Sequence, residues 1–181
     1  MKHSLQDTLA LLDRMPSTFN ALLRDLPDEW THANEGEDTW SAFDVVGHLI
    51  HCEHSNWVPR ARILLQHGET RAFDPFDREG QVRVVQGKSL AQLLDEFARV
   101  RSENLVELRA WKLHPADLEK RGKHPSLGTV TLSELFATWA DHDLTHLHQV
   151  SRILAHQYRE AVGPFGKYLG VLQCAGHSAA N

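Results

Sequence analysis

Histidine 142 and histidine 146 stand four residues apart in the stretch TLSELFATWADHDLTHLHQVSRILAHQY. Advancing about 100° per residue around a helix brings Leu135, Trp139, His142, His146, Gln149 and Ile153 into one narrow sector. Such a sector faces a protein interior, so two imidazoles and an amide interrupt an apolar stripe. Side chains four apart on a helix lie about 5–6 Å from one another, within reach of a single ion. A lone inward histidine reads as a hydrogen-bonded core residue. A pair at this spacing reads as two metal ligands, since neutral imidazole is the commonest protein donor to transition metals.

A third imidazole comes from an earlier segment, where His48 shares a helical face with Ser41, Val45, Cys52 and Ser55. Three nitrogens from two facing helices form a facial donor set that leaves positions for water or substrate. A structural zinc would instead be closed by four protein ligands. Neighbouring residues read more plainly. Cys52, one turn after His48, is a buried small hydrophobe or a fourth donor. His51 and His54 lie about 60° and about 120° around the helix from His48, at surface or boundary positions. Glu53 points away from the His48 face and is structural, His148 is solvated, and Asp141 and Asp143 flank the ligand sector as supporting or surface groups. Asp44, about 40° from His48, is the nearest carboxylate that could serve as a base. Gln149 could bond a ligand or water, and Trp139 should restrict solvent near the ion.

Four stretches with helical periodicity must position these residues. The first covers residues 5–26 and stops at Pro27. The second opens at Ser41, an N-cap answered by Asp44, and runs to residue 67 with a kink at Pro59. The third covers residues 89–113. The fourth starts at the capping box Thr131-Leu-Ser-Glu134 and reaches residue 158. Between the second and third, residues 68–88 read as a long loop with some extended character. Residues 114–130 form a second loop punctuated by proline and glycine. The expected fold is all-α, a four-helix bundle of one domain over residues 1–181, with a long crossover between its second and third helices.

The chain has 181 residues, 41% of them hydrophobic and 24% charged, which is enough apolar material for a core. A net charge of −5 with scattered cations excludes a phosphate-backbone binder and a polybasic membrane anchor. No apolar run approaches membrane-spanning length, and the first residues lack a signal peptide's apolar centre, so the expected location is the cytoplasm. Two isolated cysteines signal neither a disulfide framework nor a zinc ribbon, whereas thirteen histidines are conspicuous.

The motifs Trp40-Ser-Ala-Phe-Asp-Val-Val-Gly-His48-Leu and His142-Asp-Leu-Thr-His146-Leu-His-Gln149 together resemble the DinB/YfiT-like superfamily, over nearly the whole chain. The resemblance implies a four-helix bundle with a three-histidine site for nickel, zinc or an iron-type ion, matching His48, His142 and His146. It also implies homodimers, and chemistry that includes S-transfer with a low-molecular-weight thiol. A metal-dependent transferase acting on a small molecule is therefore the first expectation. A metal-dependent hydrolase and a non-enzymatic bundle with a structural metal or ligand cavity are the alternatives.

Overall fold

The structure is a computed structural model that describes residues 4–174. Four helical stretches form a bundle, and a two-stranded hairpin is the single sheet among the described residues. No helix among them is long and apolar enough to cross a membrane.

The first stretch is two helices rather than one, α1 (Leu5–Leu12) and α2 (Met15–Leu23). Pro16 explains the division. It has no N–H to give the Leu12 carbonyl one turn back, so the ladder breaks there. That carbonyl instead accepts a hydrogen bond from Arg101 Nη1 at 3.0 Å. A short turn, α3 (Asp28–Thr31), leads to α4 (Ala42–Ser55) and α5 (Trp57–His67). The step at Asn56 follows from Pro59, which cannot donate to the Ser55 carbonyl. Ser41 and Asp44 form the predicted capping box at the start of α4.

The crossover after α5 is more ordered than its sequence suggests. It contains α6 (Gly80–Val85), which lies directly on α4. Contact is close because two glycines supply the room. A Cβ on Gly47 would sit 2.2 Å from Val85 Cγ1, and one on Gly80 would sit 2.0 Å from the His51 ring. Beyond it come α7 (Leu90–Ala110), the single turn α8 (Pro115–Leu118) and the antiparallel strands β1 (Arg121–His124) and β2 (Gly128–Thr131). The strands occupy what reads as loop, because four residues are too few to display a two-residue period. Finally, α9 (Leu132–His156) begins at the Thr131/Glu134 capping box.

Contacts fix the order around the bundle. The α1–α2 stretch packs against α7 and α9, and so does the α4–α5 stretch. The first two stretches in sequence therefore stand diagonally opposite, and the fold is not a simple up-and-down bundle. The core has two parts. One surrounds Trp57, Phe136 and Trp139, and the other surrounds Phe19, Phe97 and Val46. At the bundle centre the buried Arg101 of α7 bonds Glu53 of α4 at 2.8 Å and Asp143 of α9 at 2.7 and 3.1 Å. With the Leu12 carbonyl, this one side chain ties all four helical stretches together.

Candidate metal centre

Neighbouring helices α4 and α9 bring His48, His142 and His146 to one point. Nε2 of His142 lies 3.1 Å from Nε2 of His48 and 3.2 Å from Nε2 of His146. The rings are oriented from behind. Nδ1 of His48 donates to Gln81 Oε1 at 3.2 Å, and Nδ1 of His146 donates to Gln149 Oε1 at 2.8 Å. With the hydrogens on Nδ1, both Nε2 atoms are acceptors aimed at a common centre. Burial, then the like charge of His146, pulls His48 down to about 3. Burial first, and then His146 and His48, takes His142 well below the usual histidine range. His48 and His142 are therefore neutral at physiological pH.

With the His142 hydrogen also on Nδ1, three lone-pair nitrogens this close repel unless something positive lies between them. Nitrogens about 2.1 Å from one ion are about 3.0 Å apart at right angles and about 3.4 Å apart at the tetrahedral angle. The observed spacings fall between those limits, so the donor set fits a divalent ion, and these three are the described residues that group in this way. Each glutamine would hold its imidazole from outside an ion's coordination sphere. Gln149→Leu should accordingly weaken metal binding by about 10–100-fold while leaving the fold intact. Competition against a chromogenic chelator measures this, and an unchanged affinity would mean Gln149 does not orient His146.

Aromatic rings wall the site. Trp40 lies 4.8 Å from the His48 ring and 6.1 Å from that of His146, Phe76 lies 5.9 Å from His48, and Trp57 meets His142 edge-on at 5.0 Å. Trp139 stands one layer back. It stacks on Trp57 and gives its indole N–H to Glu53 Oε1 at 3.0 Å, so Trp57 shields the imidazoles in the place anticipated for Trp139. A buried indole N–H needs an acceptor, and Glu53 supplies it. Cys52 Sγ lies 3.5 Å from His48 Nε2 and 3.9 Å from His142 Nε2. Burial first, then the charges of Glu53 and Asp143, pushes its thiol up, so it remains protonated.

Several side chains lie elsewhere than their helical angle suggests. Asp44 is committed to the α4 cap, where Oδ2 accepts from Ser41 N at 2.9 Å and Ser41 Oγ at 2.6 Å, and it is no base for the site. His51 is buried under the crossover, with Nε2 bonded to the Asp77 carbonyl at 2.7 Å. Asp143 is fully buried against Arg101 rather than on the surface, and burial raises its pKa against the opposing pull of that guanidinium. His54, Asp141 and His148 are exposed.

From the imidazoles a cavity of about 450 Å³ runs along Cys52, Asn56 and Arg60 to Phe76 and His124 of β1. Sequence reasoning passed over Gln81, Trp57, Arg60 and His124. The proline at 59 and the Arg60 beside it were the available signals, and nothing in a loop-like segment distinguishes Gln81.

Residues 11–150 match the DinB superfamily, and the chain belongs to that family. Its structure is similar to that of YfiT from Bacillus subtilis, with a TM-score of 0.72 at 16% sequence identity over 84% of this chain and 86% of that one. The likeness establishes the shared four-helix-bundle fold. No curated protein matches the chain.

Proposed function

We propose that the protein is a divalent-metal-dependent transferase that joins a low-molecular-weight thiol to a small electrophile, with His48, His142 and His146 as the ligands. One observation carries this reading. Among the described residues, no carboxylate lines the cavity beside the histidines, and the nearby acids Glu53 and Asp143 are engaged with Arg101. Hydrolysis by a metal-bound water is commonly assisted by a positioned carboxylate base. A thiol nucleophile needs only to be deprotonated and held. A bound divalent ion supplies Lewis acidity and lowers the pKa of a coordinated thiol or water. An all-nitrogen donor set suits zinc, nickel or iron.

The chain's own residues do the rest. Gln81 and Gln149 keep the imidazole lone pairs aimed inward, and Trp40, Trp57 and Phe76 exclude water from the reacting groups. Cys52, held as the neutral thiol, does not compete as a nucleophile. In the overall change a carbon–sulfur bond forms, the leaving group departs with its electron pair, and the thiol proton passes to solvent. The purified protein should conjugate glutathione, bacillithiol or mycothiol to 1-chloro-2,4-dinitrobenzene, and a chelator should abolish the reaction. The second reading, hydrolysis, is favoured by the description of YfiT as a probable metal-dependent hydrolase and by Asp141, which lines a surface groove with His142. Chelator-sensitive cleavage of p-nitrophenyl acetate without thiol-dependent turnover would replace the first reading with the second.

A further inference from the structure

Three arginines are buried among the described residues, and one lacks a carboxylate. Arg101 has Glu53 and Asp143, and Arg152 has Glu35. Arg60, 8% exposed, meets the Asp74 carbonyl at 3.5 Å, the Phe73 ring at 5.5 Å and His124 Nε2 at 3.2 Å. Its Nε is buried with no hydrogen-bond partner. A buried cation without an anion is costly, so an arginine in this state calls for a counter-charge.

His124 does not provide it. Its Nδ1 accepts from the backbone N–H groups of Ser126 and Leu127, both at 3.2 Å. That assigns the ring hydrogen to Nε2, the atom facing Arg60 Nη1. Two donors thus face each other with no acceptor between them. Both residues line the cavity that begins at His48 and His142, and the exposed Arg78 adds positive charge at the same cavity. Asn56, on the same wall between Cys52 and Arg60, has a buried Oδ1 with no partner.

We infer that this cavity receives a substrate bearing an oxyanion, a carboxylate or phosphate, on Arg60 and His124, with its reacting end toward the three histidines. The inference rests on reading the cavity as the substrate site of the proposed transferase. An anionic oxygen accepts from the guanidinium and from His124 Nε2 together, resolving the donor–donor contact and neutralising Arg60. The Asn56 carbonyl oxygen is placed to accept from a hydroxyl or amide N–H nearer the histidines. The hairpin thereby acquires a purpose: Ser126 and Leu127 at its turn hold His124 in the donating tautomer.

Isothermal titration calorimetry on the purified full-length chain, with metal content measured on the same sample, tests this. Benzoate and phenyl phosphate are the anionic probes, and benzamide and benzyl alcohol the neutral counterparts. One equivalent of at least one anion should bind, with the neutral pair at least tenfold weaker, and the tighter anion identifies the oxyanion. Arg60→Met should lose at least tenfold of the anion's affinity and Arg60→Lys should recover part of it, both at unchanged metal content and helical circular dichroism. Equal binding of benzamide and benzoate, no binding of either anion, or full anion affinity in folded Arg60→Met would overturn the inference. Arg60-dependent binding in a protein that takes up no metal would instead defeat the metal-dependent reading and leave the oxyanion site standing. Metal-dependent thiol transfer unaffected by the Arg60 substitutions would do the reverse.

Discussion

Arg101→Met is expected to destabilise the protein by about 3–5 kcal/mol, as removal of one partner from a buried ionic cluster does. Glu53 and Asp143 would be left in a core from which their counter-charge had gone, and the Leu12 carbonyl would lose its donor. The guanidinium also lies over the rings of Phe97 and Trp139, 5.0 and 5.2 Å from their centroids, and methionine would recover only part of that packing. Urea unfolding followed by circular dichroism measures the loss as a lowered midpoint at similar slope. A triple variant replacing Arg101, Glu53 and Asp143 with apolar residues should recover part of the stability, because it removes the orphaned charges while leaving the Trp139 indole N–H and the Leu12 carbonyl without their partners. A loss under about 1 kcal/mol in the single variant would show that water reaches the cluster.

His142→Ala is expected to abolish stoichiometric metal binding, an effect larger than the roughly 10–100-fold expected of an orienting glutamine. His142 occupies the middle of the cluster, with its Nε2 within 3.2 Å of the Nε2 atoms of both other histidines. Among the described residues His51 does not replace it, being turned to the Asp77 carbonyl, and burial disfavours the thiolate form of Cys52 that would bind in its stead. His142 is only partly buried, so stability of the metal-free variant should change little. Equilibrium dialysis with zinc reads the stoichiometry. One ion retained per chain at the original affinity would remove His142 from the site.

The sequence already carried the bundle and the histidine cluster, because both depend on local periodicity. Inward-facing His142, His146 and Gln149 follow from counting along one helix, as do the caps at Ser41 and Thr131. What escaped depends on tertiary partners. Pro16 marks a helix break only once Arg101 is seen to take the Leu12 carbonyl. Asp143 reads as a flanking acid until α7 places Arg101 against it, and His51 reads as boundary until α6 covers it through Gly80. Gln81 reaches His48 from a segment with no helical pattern of its own. Arg60 and His124, 64 positions apart, meet because the hairpin folds back onto α5.

Cobalt titration of the metal-free protein, followed by visible absorption, tests the open three-histidine centre most directly. One equivalent of cobalt(II) should bind per chain and give ligand-field bands, and an added small thiol should produce a sulfur-to-cobalt charge-transfer band. The same titration of the His48→Ala variant should lose the stoichiometric endpoint. Failure to take up cobalt would contradict the site itself. Stoichiometric uptake with a spectrum indifferent to thiol, azide and pH would contradict an open coordination position and identify a structural metal.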